Sequence, residues 1–144
     1  MKLLTCCLLL ALIPLKWGTD FESAKKDAKE KKQMILLNFS GSDWCAPCVA
    51  TKRDFFENDS FIAMAKDNLV LVNADFPRKK KNQLSPEQTQ KNEALAEKYN
   101  KEGNFPLTLL LDFNGKVIKS WAGRPEVPVD KWVKEIKSLC ESHK

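Results

Sequence analysis

Histidine is almost missing from this 144-residue chain: His143 is the only one. A second C-x-x-C is missing too. Structural zinc needs four ligands, so the pair Cys45 and Cys48 argues against a zinc site. No metal or organic cofactor is implied. Glycine is sparse, at 5 residues, and neither repeats nor low-complexity tracts occur. That excludes a repeat architecture and a disordered chain. A large charge excess is also lacking. The net charge is +5, two of the cations being Lys2 and Lys16. With no aromatics interleaved among the basic residues, nucleic acid is not an expected partner. No apolar run reaches the roughly 18 residues of a membrane span.

What is present fits one globular domain with a sizeable core: 43% apolar and 30% charged residues. The chain opens with Lys2 and the apolar run Leu3 to Leu15, broken only by Thr5 and Pro14. This length suits the core of a signal peptide. No Ala-x-Ala-like triplet follows it, so cleavage and retention as a membrane tether through residues 3–15 both stay open. A short buried helix is the plainer alternative. Export is the better reading, with residues 1–17 as signal peptide or anchor and 18–144 as the domain. Cys6 and Cys7 fall inside the run.

Export bears on the other cysteines, because thiols tend to oxidise outside the cytosol. Cys45, Cys48 and a distant Cys140 are no disulfide scaffold. Cys140 lies on the apolar stripe Val129, Trp132, Val133, Ile136, Cys140, where it reads as a small hydrophobe. The sequence Trp44-Cys45-Ala46-Pro47-Cys48 is different. It follows the strand-like run Met34 to Phe39 and the loop Gly41-Ser42-Asp43, and it opens a helix predicted to reach Phe56. A C-x-x-C at a strand-to-helix junction suits thiol–disulfide exchange. Unpaired N–H groups at a helix start favour a thiolate on the first cysteine.

Further on, Thr19-Asp20-Phe21-Glu22 reads as a capping box, with Phe21, Ala24 and Ala28 on one helix face. A short helix over Phe61 to Lys66 and a strand over Leu69 to Ala74 precede the run Arg78-Lys79-Lys80-Lys81. That run reads as a solvated loop, or as a contact for an acidic partner or an anionic membrane. Ser85-Pro86-Glu87-Gln88 caps a helix lasting to Tyr99. Leu107 to Phe113 and Lys116 to Trp121 are strands joined by the Asn114-Gly115 turn, and Pro128 introduces a terminal helix. The order predicts an α/β fold, a mixed sheet flanked by helices on both faces.

These residues resemble the thioredoxin superfamily over Asp20 to Leu139. The marks are Trp44-Cys45-x-x-Cys48, Pro106 within Gly103-Asn104-Phe105-Pro106, and Asn114-Gly115. The wording Phe39 to Cys45 is most similar to exported bacterial thioredoxin-like and disulfide-interchange proteins. The resemblance implies a thioredoxin-like fold with a redox-active Cys45–Cys48 disulfide, both residues catalytic. It implies a cis bond before Pro106 and a substrate groove shaped by Trp44, Phe105 and Pro106. Its partners would be protein thiols and disulfides, plus a redox protein that recycles the pair. A monomer in the bacterial envelope or periplasm is expected. Two departures stand out. Asn38 occupies the place of the family's buried aspartate, leaving the proton acceptor for Cys48 unnamed, and Phe105 is an unusual residue before the proline. Reductase is the favoured direction, since Ala46-Pro47 lacks the histidine of strong oxidants. Isomerase, oxidase, a binding or chaperone module and a structural disulfide remain as alternatives.

Overall fold

The computed structural model describes residues 14–143. Most of the apolar leader, residues 1–13, lies outside the described residues. Five strands form one sheet in the order β1-β3-β2-β4-β5. These are β1 (Trp17–Gly18), β2 (Met34–Ser40), β3 (Leu69–Asp75), β4 (Leu107–Leu111) and β5 (Val117–Ala122). The first three run parallel, and β4 and β5 are antiparallel to their neighbours. Parallel neighbours need crossover connections, which α1 (Phe21–Lys31) and α3 (Asp59–Asn68) help supply. The mixed α/β architecture expected from the order of elements is the observed one.

Strand alternation decides which residue meets which layer. On β2, Ile35, Leu37 and Phe39 join Phe21, Ala24 and Ala28 of α1 in one buried cluster, with Leu95 and Tyr99 of α4 (Pro86–Tyr99) packed against it. Met34 and Leu36 point the other way, into a cluster with Phe61 and Met64 of α3 and Trp132, Ile136 and Cys140 of α5 (Val129–Ser142). Cys140 is buried there, as its stripe implies. The same alternation turns Asn38 toward this second layer, the side on which the helix after Cys45 lies.

Several local details differ from the sequence reading. Trp17, assigned to the leader segment by sequence, pairs with Leu71 in β1. The N-cap of α1 is Asp20 rather than Thr19: its carboxylate accepts the Ser23 N–H at 2.8 Å. Lys91 of α4 also bonds Asp20, and these bonds hold its carboxyl down at about 2. The helix from Pro47 to Phe56 is two segments, α2 (Ala46–Thr51) and a π-helical turn Lys52–Phe56. The wider turn delivers Phe55 and Phe56 together onto Trp132. Ser85 caps α4 as expected, but Gln88 does not close the box. Its amide reaches Thr19 O and Asn92 Oδ1 instead.

Candidate active site

Cys45 is the N-cap of α2. The extended backbone of β2 ends at Ser40, and the Gly41 carbonyl then accepts N–H groups from Trp44 and Cys45, at 3.2 and 2.9 Å. This tight turn leaves Cys45 at the helix start. Its Sγ accepts the Cys48 N–H at 3.2 Å. Pro47 sits inside the first turn, where its missing N–H leaves no bond unmade. Cys45 and Cys48 are joined in a disulfide with Cα atoms 5.2 Å apart, inside the usual range. Both residues are nearly covered, at 5% and 4% exposure, so access to the sulfurs is narrow. The Gly41 N–H approaches Cys48 Sγ at 3.5 Å.

A neutral polar row lies beneath. Register places Asn38 of β2 beside Asn73 of β3 and opposite Thr108 of β4. Asn38 Nδ2 donates to Asn73 Oδ1 at 3.0 Å, and the Thr108 hydroxyl donates to Asn38 Oδ1 at 3.2 Å. Asn38, Asn73 and Cys48 line one cavity of about 770 Å³, whose wall also holds Lys52 and Glu57. Those two form an exposed ion pair at 3.0 Å. No carboxylate takes the place of the amide beneath the disulfide.

The loop before Cys45 is anchored residue by residue to the end of β3 and the segment that follows it. Ser42 donates its N–H and hydroxyl to Asp75 at 2.9 and 2.5 Å. Asp43 accepts the N–H groups of Arg78 and Lys79 and the Asn82 amide, each at 2.9 Å. These bonds, the Arg78 N–H foremost, push the Asp43 carboxyl below the ordinary carboxylate range. Trp44 Nε1 donates to Phe76 O at 2.7 Å. Its indole lies so close over Gly41 that any Cβ there would overlap the ring.

The peptide bond Phe105–Pro106 is cis, as the resemblance implied. Phe105 meets Trp44 edge-on and Phe76 in the same manner, both at 5.4 Å between ring centres. Trp44 and Phe105, singled out separately by sequence, therefore pack together into one aromatic wall that includes the residue before Cys45. Pro106 is buried, its carbonyl accepting the Gly123 N–H at 2.8 Å. Asp43, Phe76 and Arg78 were not singled out as site residues. Their contacts span more than thirty positions and leave no periodic signal. The basic run was the one visible clue.

Comparison with known proteins agrees with this geometry. The thioredoxin-like family matches residues 16–112. The disulfide bond reductase DsbH of Chlamydia pneumoniae is 32% identical over 116 residues, covering 81% of this chain and 68% of that protein. A solved DsbH oxidoreductase superposes with a TM-score of 0.81 at 29% identity, covering 98% of this chain and 94% of that one. A thioredoxin from Thermus thermophilus shares the fold, with a TM-score of 0.66 at 15% identity over 91% of each chain. With a Cys45–Cys48 disulfide at the start of α2, this chain belongs to the thioredoxin-like family and is a thiol–disulfide oxidoreductase.

Proposed function

We propose that the protein is a reductase of protein disulfides in the bacterial envelope, with Cys45 as attacking residue and Cys48 as resolving residue. The observation that carries this assignment is the Cys48 N–H bonded to Cys45 Sγ at a helix N-cap. A hydrogen bond to sulfur strengthens when the sulfur is anionic, so in the reduced protein it lowers the Cys45 pKa. Cys48, buried against Gly41, has no equivalent helix start.

The reduced Cys45 thiolate attacks one sulfur of a substrate disulfide, forming a mixed disulfide and expelling the other sulfur as thiolate. Cys48 then loses its proton and attacks Cys45 Sγ. The Cys45–Cys48 bond forms, and the second substrate thiolate leaves. Two electrons have passed to the substrate, and a redox partner must return two. Trp44 and Phe105 form the wall against which the substrate segment lies, and the buried Pro106 follows Phe105 in the chain. The neutral Asn38 row offers no base for the Cys48 proton, and the carboxylates lining the adjoining cavity are those of Glu57 and Asp59.

Direction is supported by Ala46-Pro47, which carries no cation to stabilise the reduced form, and by the reductase name of the Chlamydia relative. The apolar leader supports export. Among the described residues no helix is long and apolar enough to cross a membrane.

The division of labour is tested by substitution. Cys45→Ser should abolish reduction, whereas Cys48→Ala should accumulate mixed disulfides with substrate proteins. Graded-pH alkylation of the reduced protein should find Cys45 reacting with a pKa below about 8.5. Preferential alkylation of Cys48 at low pH would reverse the roles.

A further inference from the structure

We propose that the segment between β3 and α4 selects substrates, favouring disulfides flanked by acidic side chains. The proposal rests on the disulfide-reductase reading and names the substrate class of that site. The segment carries Arg78, Lys79, Lys80 and Lys81, all exposed. It does not hang free of the site. Asp43 and Trp44, the two residues before Cys45, are bonded to its backbone. The Arg78 guanidinium lies over the Trp44 ring, 3.7 Å from its centre. Cation and indole together wall a second cavity of about 700 Å³ that also meets Phe76 and Phe105.

The charge of the segment itself favours an anion, since residues 76–84 hold four cations and no acidic residue. Among the described residues, no ion pair joins any of the four cations to a carboxylate. Asp43 is saturated by three N–H donors, and Asp75 by Ser42. Glu93 of α4 stands on the cavity wall and is the one acidic group there without such partners. Arg78 is the one of the four cations on that wall, and Lys79, Lys80 and Lys81 extend the positive charge along the exposed segment beside it. Stacking on indole orients the guanidinium plane while leaving its edge N–H groups for a bidentate partner. A carboxylate near the substrate cysteine fits that edge. A bilayer is the less suitable occupant, because a planar surface cannot enter the cavity that Arg78 lines.

The test uses pre-reduced protein in single turnover with three cyclic disulfide peptides. They differ only in two flanking residues, which are glutamate, glutamine or lysine. The expected order is acidic, neutral, basic, with about tenfold between the extremes at low salt. Raising ionic strength to about 1 M, where the Debye length is about 3 Å, should erase it. The quadruple variant Arg78→Gln, Lys79→Gln, Lys80→Gln, Lys81→Gln should lose the acidic-to-neutral ratio. The triple lysine variant, which keeps the Trp44 stack, should lose part of it. Equal rates for the three peptides with wild-type protein would overturn the proposal and leave the reductase reading intact. So would a ratio that survives in the quadruple variant. Equal peptide rates with sedimentation on phosphatidylglycerol vesicles, lost in the quadruple variant, would assign the cations to a membrane instead. Failure to reduce even the neutral peptide would sink the reductase reading itself, and this proposal with it.

Discussion

Asn38 and Asn73 face each other on neighbouring parallel strands, sharing a 3.0 Å amide–amide hydrogen bond in the cavity that reaches Cys48. Two neutral side chains therefore occupy a place where a charged pair would alter both stability and proton transfer. Asn38 is only 5% exposed. Replacing it tests how the enzyme manages without a buried acid.

Asn38→Asp should fold, because Asn73 can turn its amide and the Thr108 hydroxyl still donates. Burial disfavours the charged carboxylate, so its pKa in the folded state rises above the unfolded value. The folded state then binds more protons than the unfolded one. Destabilisation grows as pH climbs from the unfolded pKa to the folded one, reaching about 1–3 kcal/mol at neutrality. Denaturant melts at pH 4 and 7 should show the variant closer to wild type at pH 4. Resolution of the mixed disulfide should quicken at neutral pH, since a base now lies beneath Cys48. Equal destabilisation at both pH values would mean that the cavity hydrates the carboxylate fully.

Gly41→Ala probes the Trp44 platform. The added methyl overlaps the indole, which must move and surrender its bond to Phe76 O. Overpacking of this kind costs about 1–3 kcal/mol. Reduction of protein disulfides should fall further than reduction of a small organic disulfide, because only the former needs the wall of Trp44 and Phe105. Equal losses on both substrates would show that Trp44 does not contact the substrate.

Asp43 gives a pH signature to the anchored segment. Its carboxyl is lowered chiefly by the Arg78 N–H, then by Asn82 and Lys79. A depressed folded pKa contributes stability that is present above the unfolded value of about 3.9 and is lost as pH falls through the folded value. The Arg78 and Lys79 amide resonances should therefore titrate with a midpoint below about 3.9. Asp43→Asn should speed hydrogen exchange in residues 76–84 at neutral pH. A midpoint at or above the ordinary value would deny the anchoring role.

The elements legible in the sequence are those with local signals. Met34 to Phe39 is an apolar run of strand length, Ser85-Pro86 announces a helix start, and Asn114-Gly115 announces a turn whose Gly115 has φ of 86°. The cysteine pair and Pro106 carried the site. What stayed hidden depends on contacts distant in sequence. β1 is two residues long and adjoins an apolar run, so no alternation marks it. The π-helical turn answers to Trp132, far along the chain. The pairing of Asn38 with Asn73, and of Asp43 with Arg78 and Lys79, follows from strand register and loop path. Neither residue of such a pair signals the other.

The proposed cycling of Cys45 and Cys48 as a reductase pair is tested most directly by their reduction potential. Ala46-Pro47 places no stabilising cation beside the Cys45 thiolate, so the oxidised form should be comparatively stable. Equilibration of the purified protein with defined thiol–disulfide buffers should give a value near thioredoxin's, about −270 mV, far from the roughly −120 mV of a strong oxidant. That interval of about 150 mV corresponds to about 7 kcal/mol, well within reach of the titration. A potential above about −180 mV, the level of a disulfide isomerase, would contradict the reductase assignment.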